Sequence, residues 1–564
     1  MTSRSPSRRG ATAASATPPA LDDITTGTTA STTATPDSAA NPHRWKALGV
    51  LAAGLALIVI DGSIVAVSLP TIVSDLSLDL SDAQWVTTSY AVILSALLLI
   101  SGRVGDRMGR RRLFLGGVAL FVIASVLAAL ASGAATLIGA RLLQGVGGAL
   151  ILPSTLSSVN ATFRGRERAA AFGVWGAVMA GAAALGPLLG GWLTSSFSWP
   201  WIFLVNVPIG LMVLLGTVLW VGESRESESA RRGRLDLVGA VLSALSFGVL
   251  VFAVIEATTL GWWTQKAALD LFGRTIDLPG SLSLVPVLLL VGALLLAAFV
   301  LWERRRATRG EEVLLDLSLF GLPAFSWGNL TAGTVAIGEF GLLFVLPLYL
   351  VNVRGLGTLH AGFVLAAMAG GALLSGMAAR HLAAMIGAPR TVLVGLGLEV
   401  VGVVGLGLFL STTTSIALIV VVLVLYGLGL GLASAQLTST VLAPVPADQS
   451  GQGSAAQSTV RQLGTALGTA ISGALLAAGL SSGVDTLTGG AARYGQALTD
   501  SAGSILPQLR AQGAGPAVLA PLDTVFSDGS RLAMLGAAGF LLLGLVGAVF
   551  VARAARRAES PSTS

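Results

Sequence analysis

The sequence contains no cysteine, which excludes disulfides, thiolate metal ligands and a cysteine nucleophile. Lysine occurs only at Lys46 and Lys266, neither in a glycine-rich loop, and a phosphate-cradling ATP site needs its lysine beside such a loop. The three histidines, His43, His360 and His381, fall in predicted loops or at helix ends, without the spacing of metal ligands. With no nucleophile–base set and no metal set in view, the chain reads as a non-enzyme that needs no cofactor. Charge is scarce as well. Asp, Glu, Lys and Arg make up 11% of 564 residues, against about 25% in soluble domains, too little to cover a globule of this size.

Apolar sequence takes the place of charge: 54% of the residues are hydrophobic. They come in blocks of about twenty, the length that crosses a hydrocarbon core ~30 Å thick. The expected fold is therefore all-α and integral to a membrane. Fourteen spans are predicted, near 46–68, 83–103, 112–132, 136–158, 169–194, 199–221, 235–256, 282–302, 324–350, 358–380, 390–410, 415–436, 455–479 and 531–552. Residues 1–45 are rich in Ser, Thr, Ala and Pro and read as a disordered tail, with no signal-peptide pattern.

Basic residues fall on one side of these spans. The even-numbered connections carry Arg103, Arg107 and Arg110 to Arg112, then Arg164, Arg166 and Arg168, then Arg225, Arg231, Arg232 and Arg234, then Arg304 to Arg306 and Arg309. The first loop on the other side has Asp75, Asp79 and Asp82 instead. The positive-inside rule puts both termini in the cytoplasm and the chain in the cytoplasmic membrane. A net charge of +6 thus reflects topology, and nucleic acid is not an expected partner. One external connection, about 480–530, is long enough to fold over the outer surface.

The chain also repeats itself. AGLALIVIDGSIVAVSLPTIV in span 1 matches AGTVAIGEFGLLFVLPLYLV in span 9, each with an acid ahead of a Leu-Pro pair. ALLLISGRVGD in span 2 echoes ALLSGMAAR in span 10, and LLQGVGGAL in span 4 echoes LVLYGLGLGL in span 12. The offset stays near 275–282 residues. Two six-helix halves, 46–222 and 323–552, with two inserted helices in 223–322 and a tail at 553–564, are the organisation this implies. Substrate is then held between the halves near the midplane.

Charges inside the spans are the candidate site. A charge at a helix centre costs about 2.5–3.5 kcal/mol on insertion scales, so Asp61 needs a partner or a proton. It lies about nine residues below the predicted external end of span 1, roughly 13 Å, and Arg141 about five residues below that of span 4, roughly 8 Å. The two are expected to pair, and a pair that breaks and re-forms on proton uptake fits better than a purely structural one. Glu339 is the repeat partner of Asp61. Leu423 stands at the position matching Arg141, so Glu339 is expected to lack a cation, and an unpaired carboxylate in low dielectric favours its neutral, proton-carrying form. Tyr90, Gln144 and Glu399 are candidate cavity residues, with Glu399 as much structural as functional. Glu256 lies near an external helix end where it can reach the interface, and Arg461 can reach the cytoplasm or the cavity.

In GRVGDRMGRRR, 102–112, Gly102, Gly105 and Gly109 permit a tight turn and close helix approach. Asp106 can accept bonds from helix-end amides or opposing arginines, and Arg107 and Arg110 add positive charge. A latch that holds the cytoplasmic side closed accounts for the acid as well as the arginines. Span 5 contains GVWGAVMAGAAALGPLLGGW, whose small residues let helices touch and whose Pro187 removes one backbone bond.

These stretches resemble the major facilitator superfamily, and in particular its fourteen-span drug:proton antiporter branch. GRVGDRMGRRR is similar to the superfamily's signature loop, with Gly102, Asp106, Arg107, Gly109 and Arg110 in register. LIGARLLQGVGGA resembles the span-4 motif whose arginine, here Arg141, relays protons. GPLLGG, with Gly186, Pro187, Gly190 and Gly191, resembles the antiporter motif associated with export, and IDGSIVAVSLP the first-span motif with Asp61 at its acidic position. The departures are Ala66 where the family usually has Asn, Ala182 for the leading glycine of the antiporter motif, Pro200 for a common arginine, and Arg380 for the acid in the second half's counterpart loop.

The resemblance implies a monomeric exporter, working by alternating access, that trades protons for hydrophobic, cationic drugs or toxic small molecules. A dedicated exporter of one natural product or lipid remains open, with spans 7 and 8 lining a lateral opening. So does a non-transporting sensor or scaffold, for which Asp61 and Glu339 would be dispensable.

Overall fold

The computed structural model describes residues 43–564 except 77, 79, 224–235, 272–273, 277–280, 312, 447–448, 502, 504 and 560–564. The tail predicted at 1–45 lies outside the described residues up to position 42. Each predicted span is a helix. In order they are α1 (Arg44–Leu76), α2 (Leu80–Met108), α3 (Arg110–Ala129), α4 (Ala134–Thr162) and α5 (Gly165–Ser196). The sixth span is broken at Val205 into α6 (Trp201–Leu204) and α7 (Asn206–Trp220). The inserted pair is α8 (Leu237–Leu260) and α9 (Leu284–Thr308). The second half holds α10 (Pro323–Asn352), α11 (Thr358–Ile386), α12 (Ala388–Phe409), α13 (Ile416–Leu442) and α14 (Ser450–Val484). Two short helices, α15 (Gly495–Asp500) and α16 (Ile505–Ala511), then lead to α17 (Pro516–Glu559).

Among the described residues, twelve helices are long and apolar enough to cross a membrane, and α2 adds a shorter apolar segment, Ser89–Gly105. The predicted ends were too conservative. The helix α17 begins fifteen residues before the predicted span 14 and runs through most of the predicted tail at 553–564, because a helix continues past the hydrocarbon wherever its side chains find protein or water. A small hairpin not expected from the sequence, β1 (Leu269–Leu271) with β2 (Arg274–Ile276), joins α8 to α9.

The internal repeat is visible in the turns. The helices α2 and α3 are separated by Gly109 alone, at φ +106°, and α11 and α12 by Gly387 alone, at φ +87°. Only glycine adopts such backbone without strain. Arg380 therefore replaces an acid without changing the turn it precedes.

The helix α1 packs on α5, α10 on α14 and α17, and α13 on α11 and α12. The inserted α8 lies against α2 of the first half and α14 of the second. Trp85 meets Phe252 at 5.5 Å between ring centres, and Val251 and Val254 bury themselves against Ala466 and Ala470. The pair α8–α9 thus covers a seam between the halves.

The halves close on each other at the end where α1 begins and α17 ends. A Cβ built on Gly102 would sit 2.8 Å from the Gly451 carbonyl, and one on Gly173 would sit 3.2 Å from that of Gly376. Arg168 donates to the Ser439 carbonyl at 3.1 Å. Phe172, Trp175, Leu437, Val441 and Ala455 from both halves share one apolar cluster there. At the far end, Ile64, Ile72, Leu193 and Phe203 form a separate cluster built from the first half only. The connection between α14 and α17 covers the far end of the second half, where Arg510 bonds Asp523 at 2.5 Å and the carbonyls of Asn352 and Val353.

Candidate functional site

Asp61 is fully buried in α1, and two helices, α4 and α7, bring donors to it. Arg141 of α4 forms an ion pair with Oδ2. Gln144, one turn further along α4, donates to Oδ1 at 2.9 Å, and Asn206 of α7 does so at 2.9 Å. The arginine is itself held in place. Its Nη1 donates to the Gln144 Oε1 at 2.8 Å, its Nε to the Val86 carbonyl at 3.2 Å, and its guanidinium lies 4.6 Å over the Tyr90 ring. Ser125 of α3 accepts from Gln144 at 2.9 Å and from Asn206 at 3.3 Å. With α1 continuing to Leu76, Asp61 lies about 22 Å from its helix end, deeper than the sequence suggests, yet the arginine reaches it.

Asp61, Arg141, Gln144 and Tyr90 thus come together, inside the first half. Asn206 and Ser125 belong to the same network and escape sequence reasoning. The available signal was a lone amide in the apolar run WIFLVNVPIG. The Asn206 Oδ1 is buried without a partner.

The second half corrects one expectation. Glu339 of α10 does have a cation: the Arg461 Nη2 donates to its Oε2 at 3.2 Å. The arginine comes from α14, so comparing the matching helix, where Leu423 stands, could not find it. The pair lines a narrow cavity with Val335, Ser434, Thr438 and Gln457. The Glu339 side chain is 5% exposed and that of Arg461 24%, so the charge facing the cavity is the guanidinium. Arg461 therefore reaches the cavity rather than the cytoplasmic face. Glu399 of α12 is fully buried, away from the cavity wall, and Glu256 is 3% exposed, buried rather than reaching an interface.

The turn at 102–112 is anchored by an acid the sequence did not single out. Glu223, just beyond α7, accepts from the Arg111 backbone N–H at 3.2 Å and lies 3.8 Å from the Arg112 Nε. Arg103 and Arg110 are buried. The Asp106 side chain, central to the expected latch, lies outside the described residues, as does that of Pro187. Gly186 and Gly190 seat α5 on α1 beside Asp61. A Cβ at Gly186 would collide with Ser63, and one at Gly190 would lie 2.8 Å from the Ile64 carbonyl.

The sequence model of the Major Facilitator Superfamily matches residues 51–469. The chain is similar to the multidrug efflux pump LfrA of Mycolicibacterium smegmatis, 34% identical over 81% of this chain and 85% of that one. It is similar to the puromycin resistance protein pur8 of Streptomyces alboniger, 38% identical over 56% of this chain but only 57% of the relative's length. In three dimensions it resembles the human organic anion transporter MFSD10, with a TM-score of 0.58 over 90% of this chain and 99% of that one. At 14% identity this is a likeness of fold.

Proposed function

Since the chain belongs to the major facilitator superfamily, we propose that it is a proton-coupled antiporter that exports hydrophobic drugs or toxic small molecules across the cytoplasmic membrane by alternating access. The observation that carries this reading is a buried acid paired with an arginine in each half, Asp61 with Arg141 and Glu339 with Arg461, each acid in the first helix of its half. We assign the halves to 46–222 and 323–552, the end where α1 begins and α17 ends to the cytoplasm, and the working unit to a monomer.

Removing one partner of a buried pair leaves a bare charge, at a cost of about 3–5 kcal/mol. Protonation of Asp61 does this to Arg141, and the strain is relieved by repacking the helices that hold it; Arg461, which faces the cavity, is left bare at lower cost. A proton from outside first meets Glu339 at the cavity wall. Its neutralisation frees Arg461, which then favours departure of a cationic ligand. Release of the proton inside restores the pair and resets the cavity. The membrane potential adds about 2.3 kcal/mol per charge per 100 mV to the inward step.

Cations reach Glu339 only after the guanidinium swings aside, whereas neutral hydrophobic molecules need no such exchange. The proposed range is therefore neutral as well as cationic. The name of the puromycin resistance relative favours a second reading, a dedicated exporter of one natural product.

Inverted vesicles energised by respiration, with a pH-sensitive fluorophore, test the proposal. Cationic and neutral drugs should collapse the pH gradient in vesicles holding the intact chain but not Asp61→Asn or Glu339→Gln. A collapse unchanged by both substitutions would contradict it. Response to a single metabolite only would favour the dedicated exporter.

A further inference from the structure

Behind the Glu339–Arg461 pair lies a second acid. Glu399 is fully buried in α12, and neither carboxyl oxygen has a hydrogen-bond partner. Its side chain fits there because α12 and α13 cross on glycines. A Cβ on Gly429 would lie 2.9 Å from the Glu399 Cγ, and one on Gly402 would lie 2.9 Å from the Tyr426 Cβ. Ala433, one turn beyond Gly429 on the same face, lines the cavity with Glu339 and Arg461. Glu399 is within electrostatic reach of both, and Tyr426 within reach of all three.

The other neighbours of α12 bring no competing charge. The helix α17 has no titratable residue between Arg531, which donates to the Gly407 carbonyl, and Arg553. The helix α11 has His360, Arg380 and His381, all towards its ends.

The first half makes the same crossing, with Gly117 on Gly147 as Gly395 is on Gly429. There the residue against the second glycine is Phe121, whose backbone N would lie 3.0 Å from a Cβ on Gly147, against 2.7 Å for Glu399 and Gly429. An apolar side chain suffices for this packing, so the acid serves something else. The one guanidinium bonds Glu339 and not Glu399, and a buried carboxylate without a donor is strongly disfavoured. Glu399 therefore keeps a proton while Glu339 balances Arg461.

We propose that Glu399 is a second proton carrier of the second half, protonated in this conformer and exchanging roles with Glu339 during transport. When Glu339 takes up a proton, the attraction of Arg461 passes to Glu399, whose own proton leaves through the cavity. No bond other than O–H is made or broken, and the cluster's charge is the same before and after. The proposal rests on the antiport reading above and predicts that the proton a bound cation displaces from this cluster comes from Glu399, since Glu339 is already balanced by Arg461.

Two measurements on the purified chain test it. Infrared difference spectra at neutral pH between wild type and Glu399→Gln should show the C=O stretch of one protonated carboxyl, shifted in heavy water. In weakly buffered solution, ethidium should release one proton fewer per chain from Glu399→Gln than from wild type. Glu399→Asp, which keeps the carboxyl, should retain both the band and the proton count, so a folding defect in the glutamine variant is recognisable. A spectrum without the band, or an unchanged proton count, overturns the proposal. If wild type releases no protons while the band is present, the antiport reading fails instead, and the carrier role with it.

Discussion

Three neutral or cationic donors converge on one carboxylate at Asp61, two from α4 and one from α7. Asn206 is the simplest to remove. Asn206→Ala leaves Ser125 and Asp61 each one bond short in a buried site, which costs about 1–3 kcal/mol. Thermal unfolding of the purified variant should shift down accordingly, with drug export reduced although no charge has changed. Asp61 and Arg141 were legible in the sequence because a charge in apolar surroundings is too expensive to be there idly. Asn206 and Ser125 were not, since neutral polar residues are frequent in spans and their partners lie on other helices. Arg461 was visible as a charge, yet its partner was hidden. The repeat directs attention to α13, while the cation for Glu339 comes from α14.

At the scale of elements, each predicted hydropathy block falls on a helix, twelve of them long and apolar enough to cross a membrane among the described residues, and the predicted ends went astray for a physical reason. A helix of 44 residues such as α17 extends about 66 Å at 1.5 Å per residue, twice a hydrocarbon core, and nothing apolar marks the part outside. The glycine turns were legible in one half and obscured in the other. Arg380 replaces the acid in the second half's counterpart loop, yet Gly387 makes the same turn as Gly109. This yields a graded prediction. Beside Gly387, a Cβ meets only Pro389 at 3.9 Å, so Gly387→Ala carries backbone strain alone, about 1–3 kcal/mol. At Gly109 a Cβ also strikes the Glu223 carboxylate. Gly109→Ala should therefore lower the unfolding temperature more than Gly387→Ala, and Glu223→Ala should narrow the difference. Equal losses would mean that Glu223 is not what holds the turn.

For the whole molecule, the two halves pack through α2, α5, α11, α13 and α14, closely where α1 begins and α17 ends and with Gly362 against Leu188 nearer the other end, while the far-end cluster of the first half includes no residue of the second. Each half carries its own buried acid paired with an arginine. Two rigid halves with a charge switch in each can rock about a fixed site, and a proton supplies the bias. The central claim is that a proton gradient alone drives export through these acids. The most direct measurement uses the purified chain in liposomes, with an imposed pH gradient and no other energy source, following ethidium across the membrane. The account predicts that the gradient accumulates dye against its concentration in wild type. It also predicts that Asp61→Asn and Glu339→Gln abolish accumulation while dye–dye exchange persists. Accumulation indifferent to the gradient, or preserved in both variants, would contradict it.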